Sequence, residues 1–284
     1  TEEEAIHFLQ RHNILPSERK CKNNHCMKLC FGDRIIRKCY KQNCRSKVNM
    51  RVGNWFEGSR IRFVAAVRFI YCWTREFTSI SFCKNELGIS DKTTIDWNNY
   101  MREVVVLYLD SLPNNKIGGD GKIVEVDESL FTKRKNNCGR MLPEQWIFGG
   151  LCRETKECFL VMVKKRNAKT LMENIKKYIH FGSVIFSDCW KGYSTNELVN
   201  AGYQHYQVNH KYNFVDPKTG THTQNVERMW GSAKWRNKRQ RGTARHHLNS
   251  YLAEFIWRRN LKENDGFPAI LSAISTIFPP NIEM

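Results

Sequence analysis

Residues 122–131, KIVEVDESLF, are the stretch from which the rest of the chain is best read. Ile123, Val124, Val126, Leu130 and Phe131 give it strand composition, and it follows a stretch rich in Gly and containing Pro, Leu112–Gly121. Alternation along a strand puts Glu125, Asp127 and Ser129 on one face and Val124 and Val126 on the other. A carboxylate in the middle of an apolar strand is costly to bury without a partner. A metal ion is one such partner; an edge strand with a wet polar face is the alternative.

Working outward, the pattern downstream is β-rich and then alternates with helices. WIFGGLCRE (146–154) and ECFLVMVKKR (157–166) read as strands joined by a tight turn at Thr155-Lys156. AKTLMENIKKYI (168–179) is an amphipathic helix with Leu171, Ile175 and Ile179 on one stripe. SVIFSD (183–188) is a short strand ending in Asp188, Ser194–Ala201 a helix, and YQHYQVNH (203–210) a last strand. A helix is expected from about Thr223 and another over 248–261, while the apolar PAILSAISTIF (268–278) carries no assigned element.

Three strands, helix, strand, helix, strand, helix is the order of a ribonuclease-H-like fold of the retroviral-integrase-like kind. In that fold one acid sits centrally on the first strand, a second ends the fourth, and a late helix supplies the third. Those positions fall on Asp127, Asp188 and Glu227, with sixty and thirty-eight residues between them. Three converging carboxylates suit two Mg²⁺ (or Mn²⁺) ions and phosphoryl transfer. Lys234, seven residues after Glu227 and on the same helical face, is placed to hold a phosphate.

Upstream of the strand lie two other patterns. Four residues separate Cys21 from Cys26 and four separate Cys39 from Cys44, with twelve between the pairs. That is the arithmetic of a zinc ribbon holding one structural Zn²⁺, with Cys30 spare and His25 a weaker substitute. Residues 59–109 read as helices: Arg60–Thr74, Ser79–Leu87 ending at Gly88, and a third opening at Ser90. The join LGIS-DKTTIDW (87–97) fits a helix-turn-helix with its recognition helix starting near Asp91. The domains expected are thus a zinc ribbon (1–58), a helix-turn-helix (59–110), the catalytic α/β domain (118–262) and a C-terminal extension (263–284).

Composition points to the partner. Lys and Arg outnumber Asp and Glu by 46 to 28, for a net charge of +18. The excess is concentrated: ten basic residues against Asp33 alone in Lys20–Arg51, and seven against none in Arg228–Arg245. Two basic tracts suggest a polyanion gripped twice, with nucleic acid the first choice. The 41% apolar content is ample for a core, which excludes global disorder. No apolar run approaches the roughly 18 residues of a membrane span. The opening TEEEAIHFLQ has no basic segment leading into an apolar one, so no secretory signal is expected, and without an initiator Met the chain is expected to be trimmed. Eleven cysteines then read as reduced thiols, some holding metal.

VEVDES (124–129), KRKNNCGR (133–140), WIFGG (146–150), SDCWKGY (187–193) and above all VNHKYNFVDPKTGTHTQNVERMWGSAK (208–234) resemble transposases of the Merlin superfamily. These are relatives of bacterial insertion-sequence transposases with a zinc-ribbon front end. The resemblance spans about Cys21–Arg259. It implies a DDE catalytic domain with Asp127, Asp188 and Glu227 as acids and Lys234 as companion. The implied substrates are double-stranded DNA, namely terminal inverted repeats and a target. Water cleaves at the element's end, and the freed 3′-OH attacks target DNA in cut-and-paste movement. Some related bacterial enzymes use Asn as the third residue, which leaves Asn225 open beside Glu227. Inverted repeats favour a homodimer on paired ends, and a eukaryotic source would place the protein in the nucleus, a bacterial one in the cytoplasm or nucleoid. The rival readings are a non-catalytic, domesticated DNA-binding protein and a structure-specific nuclease on the same fold.

Overall fold

The computed structural model describes residues 1–283 except 114–115, 132–143, 191, 218, 240–243 and 262–264; the side chains at 236, 237, 239 and 245 also lie outside the description. KRKNNCGR (133–140) therefore falls outside the described residues. The chain divides into two units, Thr1–Asp110 with Glu263–Met284, and Ser111–Lys262.

In the first unit, α1 (Glu2–Arg11) opens with a capping box in which Thr1 and Glu4 exchange side-chain and backbone hydrogen bonds. A small antiparallel sheet follows, β1 (Lys28–Cys30), β2 (Ile36–Lys38) and β3 (Lys47–Asn49), in sequential order. Helix α2 (Phe63–Thr74) starts three residues later than the composition predicts. Arg62 at its N-cap offers no side-chain bond. Glu2 instead accepts from the Phe63 and Val64 N–H groups at 3.0 and 3.1 Å. Helix α3 (Ile80–Leu87) is capped by Ser79 and closed by Gly88 at φ +64°, a left-handed cap that favours Gly. Helix α4 (Asp91–Ser111) begins where Ser90 Oγ accepts from Thr93 N–H. The apolar stretch with no assigned element is a helix, numbered α9 below, over Gly266–Ile277. It belongs to this unit, and its Phe267 ring meets Phe8 and Tyr71. Pro268 is tolerated because it falls in the first turn, where N–H groups lack helical partners.

The second unit is a five-stranded mixed sheet: β4 (Ile123–Leu130), β5 (Trp146–Cys152), β6 (Cys158–Val163), β7 (Val184–Asp188) and β8 (Gln204–Val208). Its order is β6-β5-β4-β7-β8, with β4, β5 and β6 antiparallel neighbours and β7 and β8 added in parallel. Helices α5 (Ala168–Tyr178) and α6 (Thr195–Asn200) bury Leu171, Ile175 and Leu198 against one face. Helices α7 (Gln224–Arg239) and α8 (Arg245–Asn260) bury Val226, Met229, Trp230, Leu248 and Leu252 against the other. This is the ribonuclease-H-like arrangement that the element order predicts, and it makes β4 the central strand, buried on both faces. No helix among the described residues is long and apolar enough to cross a membrane.

Candidate active site and metal centre

The sheet register brings the first two acids together. β4 pairs with β7 in parallel, with Glu125 opposite Phe186. Two residues further along each strand, on the same face, come Asp127 and Asp188. Adjacent strands stand about 4.8 Å apart, so the two carboxylates are neighbours at the strands' carboxyl ends. Asp127 Oδ1 accepts from the Glu128 N–H at 2.8 Å and Asp188 Oδ1 from the Trp190 N–H at 3.1 Å.

Helix α7 lies along β4 and touches it at three successive same-face positions. Glu125 takes the Asn225 and Val226 N–H groups at 2.9 and 3.0 Å and the Asn225 side-chain amide at 2.7 Å. Trp230 Nε1 donates to Asp127 Oδ2 at 3.0 Å, and Lys234 Nζ to Ser129 Oγ at 2.6 Å. The steps match: two strand residues advance about 6.8 Å, and four or five helical residues about 6–7.5 Å. Gly149, directly across from Asp127 on β5, makes room for this arrangement. A Cβ there would stand 2.7 Å from the Trp230 ring and 2.6 Å from Leu160.

Glu125 is the residue the sequence reading passed over. It shares Asp127's face but is fully buried, and Arg153 pairs with it at 2.5 Å. A carboxylate at the N-terminus of α7 satisfies N–H groups that have no helical partner. Its position on the same face as Asp127 was the available signal. The anchor also fixes Asn225, whose amide is spent on Glu125 from within the helix.

Glu227 sits on the opposite flank of that turn, half exposed. Thr223 Oγ1 donates to its Oε1 at 2.9 Å, and His210 Nε2 lies 3.4 Å away. His210 is two residues beyond Val208, the partner of Asp188 across β7 and β8. Glu227 therefore faces the side of α7 toward β7 and β8. The acids are set openly: among the described residues, the one group of such side chains whose ligand atoms all lie within 4.8 Å of one another is elsewhere.

Burial, and then the neighbouring Glu128 charge, push the Asp127 carboxyl up to about 7. Burial does the same to Glu128, also to about 7. A hard carboxylate that resists ionising where it sits is suited to a divalent cation, whose charge would reverse that penalty at Asp127.

The compact group is in the first unit: Cys21, His25, Cys39 and Cys44. Sγ of Cys44 is 3.4 Å from Sγ of Cys21, and Sγ of Cys39 is 3.7 Å from Nδ1 of His25. Tetrahedral zinc with bonds of about 2.0–2.3 Å needs ligand atoms roughly 3.5–3.8 Å apart, so the set fits. Three of the four predicted sulfurs are here, and Cys26 is not. The turn pairs Lys20 with Cys26, and Cys21 N–H bonds to the His25 carbonyl at 3.0 Å. Opposed residues share a face, so His25 joins Cys21 while Cys26 shares the exposed face of Lys20. Cys30 is turned to the Tyr40 hydroxyl at 3.4 Å. The hydroxyl and then the backbone N–H of Ser46 lower the Cys44 thiol to about 6, toward the thiolate a metal binds.

Residues 116–260, more than half of the chain, match the family model of the ISXO2-like transposase domain, and the chain belongs to that family. No curated protein matches it. Among solved structures it is similar to the HTLV-2 integrase catalytic core domain in complex with magnesium, in its trimeric form, at a TM-score of 0.32 and 12% identity over 49% of this chain and 84% of that one. For the BIV integrase catalytic core the values are 0.34 and 12%, over 51% and 85%. For the simian T-cell lymphotropic virus intasome in complex with PP2A regulatory subunit B56 gamma they are 0.32 and 16%, over 60% and 58%.

Proposed function

We propose that the protein is a Merlin-type DNA transposase that binds terminal inverted repeats, cuts at the element's end and joins that end to target DNA. The observation that carries the reading is the meeting of Asp127 and Asp188 at the ends of adjacent parallel strands, with α7 laid alongside them. Asp127, Asp188 and Glu227 would hold two Mg²⁺ or Mn²⁺ ions, which when bound polarise the attacking oxygen and offset charge on the leaving one. The chain's own groups do the rest. Trp230 and the Glu128 N–H fix the rotamer of Asp127, Glu125 fixes the start of α7, and Lys234 at Ser129 offers its charge to a phosphate. Of the basic tract Arg228–Arg245, the side chains of Arg228, Lys234 and Lys238 are described, and those at 236, 239, 241 and 245 lie outside the description.

In the first unit, one Zn²⁺ would be held by Cys21, His25, Cys39 and Cys44, and α3, the Gly88 turn and α4 would act as a helix-turn-helix reading the repeat. A homodimer on paired ends, and nuclear residence in a eukaryotic source, belong to the same proposal. Supporting Glu227 over Asn225 are the orientation of the Asn225 side chain, whose Nδ2 donates to the buried Glu125, and the charge that only the Glu227 carboxylate brings to two divalent ions. The test uses pre-cut repeat ends, target plasmid and Mg²⁺, with joined product as readout. Wild type should give joined product. Glu227→Gln should lose more than about a hundredfold in cleavage while binding DNA normally, as removal of a charged transition-state group does. Asn225→Ala should keep measurable cleavage. The opposite pattern assigns the third ligand to Asn225, and cleavage without joining makes the protein a nuclease.

A further inference from the structure

On the face of β4 away from Asp127 there is a second acid, Glu128, whose side chain is 4% exposed. Val124 and Val126 on that same face are apolar core residues. An apolar side chain would fill the space without the cost of burying a carboxylate. What Glu128 does instead can be traced contact by contact. The Tyr193 hydroxyl donates to Glu128 Oε1, and the Arg166 guanidinium lies 3.9 Å from Oε2. Arg166 is held between two indoles, 4.4 Å from the Trp146 ring centre and 4.6 Å from that of Trp190. Trp190 packs edge-on to Tyr193, whose N–H bonds to the Trp190 carbonyl at 3.1 Å. The Trp190 N–H is the group that holds Asp188 Oδ1.

Trp190 and Tyr193, in the segment following β7, are thus tied down on one face of the sheet while Asp188, the residue that starts the segment, presents its carboxylate on the other. We propose that Glu128 is a positioning residue: through Tyr193 and the Arg166–Trp190 stack it fixes the turn after β7, and so the carboxylate of Asp188 beside Asp127. Its oxygens lie on the far face from the Asp127 carboxylate and are taken by Tyr193 and Arg166. Its charge also reaches Asp127 and Asp188, and Glu128→Gln, which removes the charge and keeps an acceptor, separates that effect from the positioning one. The inference rests on the reading of Asp127 and Asp188 as a divalent-cation site.

Binding of Mn²⁺ to the full chain without DNA, followed by titration calorimetry and by the electron paramagnetic resonance of the free ion, tests it. Wild type should bind, and Asp127→Asn should abolish binding, leaving no binding heat and the free-ion resonance undiminished. Glu128→Ala and Tyr193→Phe should each weaken Mn²⁺ binding about tenfold, with helix and strand content unchanged by circular dichroism. Glu128→Gln keeps an oxygen for the Tyr193 hydroxyl and should stay within about threefold of wild type. Tyr193→Phe removes one hydroxyl and keeps the ring, so it serves as the decisive variant if Glu128→Ala does not fold. A folded Tyr193→Phe or Glu128→Ala protein with wild-type Mn²⁺ affinity overturns the positioning role. Wild type that binds no Mn²⁺, or Asp127→Asn that binds as wild type, overturns the cation-site reading, and this inference falls with it.

Discussion

The two clusters of ligand-type side chains are built on opposite plans. In the first unit, three thiols and an imidazole face one another within 4.8 Å, on two short turns. In the second, the acids are spread over two strands and a helix. Their oxygens are engaged by protein groups: Trp230 and Glu128 N–H for Asp127, Trp190 N–H for Asp188, Thr223 for Glu227. A closed set of soft donors fits a structural ion, which contributes its binding energy to folding. An open set of hard donors leaves positions for substrate oxygens. The difference teaches which cluster depends on an ion for its shape. The first has little core of its own, mainly Cys21, Met27 and Cys39, whereas the second sits between two apolar layers.

The largest effect should come from breaking the closed cluster. Cys39→Ser should take zinc content from one equivalent to none by elemental analysis and remove amide protection from residues 20–50. The contrast is sharp at its neighbour: Cys26→Ser should leave zinc content unchanged, because Cys26 is on the far face of its turn. Equal loss from both variants would return Cys26 to the ligand set.

The open cluster should instead fail when its protein scaffold is cut. Glu125→Ala strands Arg153 and the first N–H groups of α7, and removing one partner of a buried ion pair costs about 3–5 kcal/mol. Chemical denaturation should show that loss in the second unit with zinc content intact. An effect below 1 kcal/mol would mean that α7 is held by its apolar face alone.

A smaller effect, about 3 kcal/mol, is expected from acid. Burial lowers the His205 imidazole to about 4, between the hydroxyls of Ser187 and Thr195 and beside the Tyr193 ring. The unfolded imidazole titrates near 6.5. Between these values the unfolded chain binds the extra proton, so stability is fully present above about pH 6.5 and falls as pH drops toward 4. His205→Gln should flatten that slope in the second unit, and an unchanged slope would assign the acid sensitivity to other groups.

Much of this was legible in the primary structure. The alternation in KIVEVDESLF, the Gly88 cap, the Ser79 and Ser90 hydroxyls and the Thr155-Lys156 turn each act over a few residues. Their elements begin and end within one to three residues of where those signals fall. The helix over 266–277 was harder to read: Pro268 stands in its first turn, and its buried stripe is only Ile270, Leu271, Ala273 and Ile274, set between Ser272, Ser275 and Thr276.

What the sequence determined by itself was the order of elements, the positions of Asp127, Asp188 and Glu227 along them, and the presence of a thiol-rich turn pair. These are local properties, set by side-chain chemistry and spacing along one chain. Only the tertiary structure decided that His25 and not Cys26 joins Cys21, because a strand register determines which face a residue shares. It alone paired Glu125 with Asn225 across a hundred residues, aligned Trp230 with Asp127 over Gly149, and linked Glu128 to Asp188 through Tyr193 and Trp190. Each of these contacts joins segments that no spacing rule relates, and hydrogen bonds form between whichever groups the packed sheet and helices bring within about 3 Å.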